Sequence, residues 1–484
     1  MSTEIRNRHP QWNNNIYQWV MVKDAMMGES AIKRQSELYL PMPAAMKLEQ
    51  AKAPSSAKIT HNTSFDPKDI HNHLTSTLNP NYHPNEPYMA YKMRAQFPEI
   101  TSTIHRGLVG MAIKNDPDWE LPSSMKYLEE NFTKSGSGII DFFNYIVNQV
   151  LESGRVGILV DIDEKDGLPK VVTYAAENIA DWTAKTASAD ETEMSSAILT
   201  EMDGEDEIEL HLAVRDGMYS IDKHKDDKLL EEGEPITYLG KFLDKVPFVV
   251  AGSTDITPDV DIAPMASIAR TAIQIYQMDA DLRQGEYMSC NPSLVISGIG
   301  EEFTPKAIGS TVAIILPDSG AKAYYPSTDT SALNHVSNRI DNLYDKAIQQ
   351  GVALLGGGKA ESGDALRIRR ESSTTTLTTA VKSAGKAIKA VLGYIAEFTG
   401  NKPDSIDFTP NTEFGISTMD PAQQTALVNT WMAGAMSKPT MLDNFRKAGM
   451  LQKGETVEDE MDRIDDEKPD FDDGVDVEPE VDAQ

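Results

Sequence analysis

Three helical apolar patterns in the second half of the chain constrain its fold more than anything else in the sequence. In 262–288, uninterrupted by proline after Pro264, Ile268, Ala272, Ile275 and Leu282 fall on one face, and Asp279, Asp281, Arg283 and Glu286 populate the rest. At ~1.5 Å per residue such a helix runs roughly 35 Å. In 331–353 the apolar residues stand at 333, 336, 340, 343 and 347, a narrow seam suited to one partner helix. In 373–398, Leu377, Val381, Ala384, Ile388, Val391 and Ile395 repeat the alternation of three and four. There Lys382, Lys386 and Lys389 share a flank, because positions four and seven apart lie on one face. Asn291-Pro292 ends the first helix, and 293–326 reads as short strands joined by glycines. Gly356, Gly357 and Gly358, followed by Lys359, break the second helix, since consecutive glycines maximise backbone freedom.

The first half has a different rhythm. Trp12, Ile16, Trp19, Val20 and Val22 predict a helix over 12–37, stopped by Tyr39-Leu40-Pro41-Met42-Pro43. Residues 48–87 are polar and rich in Ser, Thr, Asn, Pro and His, which predicts a loop or insertion. Helical patterns return at 88–113 and 125–153. The run Val156 to Ile162, bounded by Gly154 and Asp163, predicts a buried strand, and strand-like pieces follow at 170–174, 196–202, 208–214, 217–221 and 235–250. Asp166-Gly167, Asp203-Gly204 and Asp216-Gly217 mark the turns between them. Helices, then a mainly antiparallel sheet, then helices make an α+β chain. A final helix is predicted over 421–448.

Charge narrows the function. The 484 residues carry 75 Asp+Glu against 45 Lys+Arg, a formal charge of −30, which argues against a tight general nucleic-acid binder. The last thirty positions hold fifteen acidic and two basic residues, whereas 359–400 reverses the balance with seven basic against four acidic. A contact with a polyanion belongs in that basic stretch. The single cysteine, Cys290, excludes an intrachain disulfide framework and a multi-cysteine zinc site. No window approaches the ~18 consecutive apolar residues of a membrane helix, so no membrane role is expected.

Three tempting patterns fail on their chemistry. His71-Asn72-His73 lies in a polar, proline-broken stretch without the helix and β-hairpin that nuclease chemistry needs. Asp161-Ile-Asp163-Glu-Lys165-Asp166-Gly167 puts lysine fifth and glycine seventh, where a calcium loop needs an acceptor and then glycine at the sixth position, so a hairpin turn is expected. Gly358-Lys359 lacks the first glycine and the Ser/Thr of a phosphate-binding loop, since Ala353 and Ala360 stand there. No nucleophile elbow is present. The sequence gives no support for an enzyme, a cofactor or a metal.

The order of several short elements resembles the portal proteins of tailed bacteriophages. The elements are Tyr39-Leu40-Pro41; Tyr88 with Tyr91, Arg94, Ala95 and Phe97; Gly107-Leu108-Val109-Gly110-Met111; and Pro117 with Leu121-Pro122. They continue through Glu152, Gly154, Arg155, Gly157, Val160 and Asp161; Val246-Pro247-Phe248-Val249; and Asn291-Pro292 to Gly298. The likeness spans ~12–400 and is looser beyond 400; 48–87 is longer than the usual link.

That resemblance implies a portal-type fold with long stem helices, a β-rich clip and wing and a helical crown. It further implies a ring, normally of twelve subunits, at a capsid vertex of the virion, made in the host cytoplasm, through which double-stranded DNA is packaged and ejected. Implied partners are the terminase packaging motor, a head–tail adaptor, and the major capsid and scaffolding proteins. Carried over, 1–87 is an N-terminal helix with a polar loop, 88–261 wing, 262–290 and 328–353 stem, 291–327 clip and 354–363 tunnel loop. Residues 364–400 are then the long kinked wing helix, 401–465 crown and 466–484 an acidic tail. Gly356, Gly357, Gly358, Lys359, Arg367, Lys382, Lys386 and Lys389 become the candidate DNA-channel contacts, with solvating a helix face or bridging acidic neighbours as the alternative role for each lysine. An acidic ring with a thin basic band would guide DNA while binding it weakly, because each neutralised phosphate adds salt-sensitive affinity. The competing reading is an acidic virion scaffolding or adaptor protein without a channel.

Overall fold

The structure is a computed structural model, and it describes residues 8–47, 87–188, 191–204, 206–226, 228–290, 294–298, 320–325, 331–354, 363–412, 414, 421–447 and 456–466. His71 to His73, Gly356 to Lys359 and the tail beyond 466 lie outside these. Helices and sheets are mixed as an α+β chain, and the residues divide into two units, Met1–Thr412 and Glu413–Gln484.

In the first unit α1 (Pro10–Met27) starts with proline at a position where no amide is needed, and the His9 ring accepts the Gln11 amide proton. The sequence suggested one helix over 12–37. Instead Gly28, with φ +87°, turns the chain into α2 (Glu29–Arg34), and a Cβ there would lie 2.8 Å from a Glu99 carboxylate oxygen. Likewise the helix predicted over 88–113 is two, α3 (Pro87–Arg94) and α4 (Ile100–Ala112), because Pro98 excludes helix from the residue before it. The short strand β1 (Asp118–Glu120) and a 3₁₀ turn at Ser123–Glu129 precede α5 (Ile139–Ser153), so only the latter part of 125–153 is α-helical.

β2 (Arg155–Ile162) is buried along most of its length, as its unbroken apolar run requires. It lies between β3 (Pro169–Ala175) and a later strand, and the β2–β3 turn disposes of the calcium-loop pattern. Lys170 occupies the cation's place, 2.8 Å from Asp163 and 2.6 Å from Asp166, while these side chains also accept the Lys165 and Leu168 amides. The Lys170 ammonium holds both carboxyls below their ordinary values.

A five-stranded antiparallel meander follows: β4 (Ile179–Ser188), β5 (Glu191–Asp203), β6 (Asp206–Arg215), β7 (Met218–Lys225) and β8 (Lys228–Glu231). Asp216 and Gly217 both take positive φ between β6 and β7, the two-residue turn that matches strand twist. β4 was not foreseen. Its sequence, IADWTAKTAS, has little apolar alternation, and its pairing with β5 makes it a strand. The small pair β9 (Thr237–Tyr238) and β10 (Lys241–Phe242) leads to β11 (Phe248–Gly252), which completes the sheet β11-β2-β3. Trp182, Leu199, Leu212, Tyr219, Phe248 and Val250 fill the core the two sheets share. At its edge Arg155 is fully buried, with its guanidinium 4.0 Å from the Trp182 ring and His9 stacked on that ring.

Then come α6 (Ala266–Cys290), the antiparallel strands β12 (Val295–Ser297) and β13 (Lys322–Tyr324), α7 (Ser331–Leu354) and α8 (Gly363–Thr399). From Leu377 to Ala396 nearly every apolar side chain of α8 is buried, against α5, β11, β2 and β14 (Asp407–Thr409), the last paired with β1. The alternating pattern of 373–398 therefore belongs to a helix embedded in the unit.

The second unit holds α9 (Pro421–Met432), α10 (Lys438–Lys447) and α11 (Val457–Asp466). The single helix expected over 421–448 is divided where Gly434 takes φ +74° and the Ser437 hydroxyl caps the next helix through the Thr440 amide. Thr456 and Asp459 exchange side-chain and amide bonds at the start of α11, so the acidic stretch begins as a capped helix.

Candidate functional site

The feature that departs most from a packed domain is the helical hairpin α6–α7 with β12–β13 between its helices in sequence. α6 and α7 run antiparallel. The Thr271 hydroxyl lies 3.2 Å from the Gln350 amide oxygen near one end, and a Cβ on Gly285 would meet Leu333 at 2.5 Å near the other. Between them Ile275, Ile340 and Leu343 form the seam, flanked by Met278, Leu282, Val336 and Ile100. The predicted 333–347 stripe is thus the buried line of α7. Gly351 closes the base, where a Cβ would collide with Ile104 of α4.

Much of the opposite side of α7 is exposed. Arg339, Asp341, Tyr344, Asp345, Lys346 and Ile348 are all exposed. Near the far end Tyr287 and Met288 of α6, Tyr324 of β13 and the adjacent Tyr325 are exposed as well, as is Cys290.

The polar face of α6 is another matter, and here sequence reading missed the partners. Asp279, Asp281 and Arg283 looked like a solvated remainder; the structure gives each a specific contact. The Gln277 side-chain amide donates to the Tyr39 carbonyl at 2.7 Å, and the Tyr91 hydroxyl donates to Asp281 at 2.6 Å. Asp279 accepts the Gln96 amide at 2.7 Å and Arg283 at 2.9 Å. Arg94 bonds to Gln284 and sits 4.3 Å from the Tyr287 ring centre. Tyr88 donates to the Leu40 carbonyl at 2.8 Å, and Phe97 meets Tyr276 edge-on. Burial, and then the Asp281 carboxylate, push the Tyr91 phenol well above its ordinary value, so it remains a donor. Two of the sequence elements that define the resemblance, 39–41 and 88–97, therefore converge on one helix. The available signal was the polar spacing 277, 281, 284, a second stripe at helical period opposite the apolar one.

Of the eight residues predicted to contact DNA, Gly356, Gly357, Gly358 and Lys359 lie outside the described residues, and Arg367 belongs to the second turn of α8. Lys382, Lys386 and Lys389 are exposed on α8, as their spacing predicted. Two of them are engaged. Lys386 meets both Asp255 carboxylate oxygens at 2.9 and 3.0 Å, and Lys389 meets Asp407 at 2.7 Å, which holds that carboxyl below its ordinary value. Lys382 makes no ion pair among the described residues. Among those residues, no three His, Cys, Asp or Glu side chains converge as a metal site, and no helix is long and apolar enough to cross a membrane.

A family model described as a domain of unknown function (DUF4055) matches residues 264–399, from the entry to α6 to the end of α8. No curated protein matches the chain. Among solved structures, a chain from the neck of an empty gene-transfer-agent particle, computed with sixfold symmetry, is 13% identical with a TM-score of 0.37 over 73% of this chain and 90% of that one. A chain from the neck of the native particle, computed with twelvefold symmetry, is 13% identical with a TM-score of 0.36 over 77% and 97%. A chain from the native virion is 12% identical with a TM-score of 0.36 over 79% and 100%.

Proposed function

We propose that this chain is a structural component of a phage-like particle, acting at its head–tail junction as a portal subunit and not as an enzyme. In this reading copies assemble into a ring, normally of twelve, at a capsid vertex, and the ring passes double-stranded DNA during packaging and ejection. Its partners are the packaging motor, a head–tail adaptor, and the capsid and scaffolding proteins. The observation that carries the reading is the α6–α7 hairpin, anchored at one end by α4 and along its flank by the segments 39–40 and 88–97. Among the described residues one stripe of α7 is covered, which leaves the exposed side of that helix for a neighbour. The reading rests on this geometry and on the order of the sequence elements, not on the distant solved structures.

Lys386 and Lys389 are paired with Asp255 and Asp407, so the proposal keeps Lys359, Arg367 and Lys382, with Gly356, Gly357 and Gly358, as its DNA contacts. A channel for sliding DNA benefits from this, because fewer uncompensated cations mean fewer counterions released and weaker grip.

Electron-microscopic class averages with native mass, taken on the chain alone and with its scaffolding partner, test the proposal. Rings with a central hole support it. A monomer that binds scaffold one-to-one and forms no ring under either condition favours the scaffolding or adaptor reading instead.

A further inference from the structure

The helix α7 sorts its exposed charges by side. With the buried seam through Ile340 and Leu343 as reference, about 100° of turn per residue puts Asp341 and Asp345 on one flank and Arg339 and Lys346 on the other. The two flanks lie roughly 130° apart across the exposed side. The ridge between them carries the uncharged Asn338, Asn342 and Gln349.

A helix face that only meets water gains about 0.2–0.5 kcal/mol from each pair of opposite charges three or four positions apart. None of these four charges has that option. The positions three and four away from each hold no opposite charge, and Asp341 and Asp345 are themselves like charges four apart. Nor is any of the four in an ion pair among the described residues. Arg283 of α6, which shares the surroundings of the Tyr344 phenol with Asp341, is held by Asp279 and Gln96, each at 2.9 Å. Tyr344 and Ile348, 38% and 53% exposed, stand on the acidic flank. The flanks also match in height. Asp341 lies two positions after Arg339 and Asp345 one position before Lys346, offsets of about 3 Å and 1.5 Å in opposite senses.

We infer that α7 is the contact between neighbouring copies, with the Asp341–Asp345 flank of one subunit set against the Arg339–Lys346 flank of the next. The inference rests on the ring reading above and assigns its junction. A two-fold pair either sets a flank against its own kind or centres on the polar ridge. A head-to-tail contact sets unlike flanks together without burying that ridge, and it is the kind that closes into a ring. The matched heights let parallel copies stand side by side with almost no rise from one to the next, as a closed ring requires. The neighbour's arginine and lysine stems lie on Tyr344 and Ile348 while their charged heads reach the carboxylates. Because each chain carries a formal charge of −30, copies that meet need opposite charges at the contact itself.

Native mass and electron-microscopic class averages of the full-length protein, under the condition in which the native chain forms rings, test the inference. Asp341→Lys with Asp345→Lys makes both flanks basic, and Arg339→Glu with Lys346→Glu makes both acidic. Each variant alone should form no rings at the concentration that suffices for the native chain. Mixed in equal amounts they should form rings again, because basic and acidic subunits alternate. All four residues are exposed, so the variants should melt with the native chain. Should a reversed variant melt early, Asp341→Asn with Asp345→Asn reads the same contact and should raise the concentration of half-assembly about fivefold or more. Reversed variants that assemble unaided, variants that stay apart when mixed, rescue that stops at a dimer, or an unchanged half-assembly concentration in the asparagine variant overturn the inference, while native rings keep the portal reading. A native chain that forms no ring with or without scaffold overturns that reading and this contact together.

Discussion

Leu343→Ala is the sharpest probe of how the hairpin is held. Leu343 is 2% exposed and sits in the seam with Ile275 and Ile340. The change removes three carbon groups, at about 0.8 kcal/mol each for their transfer. An incompletely refilled cavity adds more, at about 24 cal/mol per Å³. The open side of α7 lets neighbours relax inward, so the total belongs at the low end of leucine-to-alanine losses, about 3 kcal/mol. If α7 opens locally from the body, its protecting equilibrium shifts by that amount, or roughly 150-fold. Hydrogen–deuterium exchange read by mass spectrometry should show amides of 336–350 exchanging faster by about two orders of magnitude. The buried strand β2 should be unchanged. Exchange in α7 that alters less than about threefold would refute the claim that this one stripe holds the helix. Equal acceleration in β2 would refute local opening.

Other expectations follow from particular contacts. Gly157→Ala, inside β2, drives a methyl into the Phe248 ring of β11 and should cost about 1–3 kcal/mol, whereas Gly167→Ala, with φ +71° and open space around it, should cost about 1 kcal/mol; thermal melts that reverse this order would contradict the packing described. Lys386→Met breaks a pair whose side chains are 60% and 54% exposed, so stability should change by less than about 1 kcal/mol, and a larger loss in urea titration would make that pair structural. Burial raises the Glu152 carboxyl above its ordinary value, so the folded chain holds that proton more tightly than the unfolded chain does. Its contribution is present at low pH and declines as pH rises through the raised value. The stability of Glu152→Gln relative to the native chain should therefore increase from about pH 4 to about pH 7, and an opposite trend in melts across that range would reverse the assigned sign.

What a single segment of sequence determines here is whatever depends on near neighbours. Period and turn chemistry placed α6, α7, α8 and most strands of the meander, because which face a residue shares is set by backbone geometry alone. Asp216-Gly217 could be read as a turn because positive φ is a local property. The lysine in the fifth place of the calcium-like pattern was enough to dismiss calcium, though not to show Lys170 in the cation's place. Helix ends were less legible: Gly28 and Gly434 each divide what the apolar pattern presents as one helix.

Contacts between distant residues needed the tertiary structure. β4 is a strand through its partner β5, not through its own composition. The polar residues on α6 looked solvated until Tyr39, Tyr91, Arg94 and Gln96 were brought against Gln277, Asp281, Gln284 and Asp279 from far upstream. The basic flank of α8 was visible as a flank, yet the carboxylates that offset Lys386 and Lys389 come from 131 residues before and 18 residues after. Periodicity tells which way a side chain leaves its own backbone; only the folded chain decides what it meets.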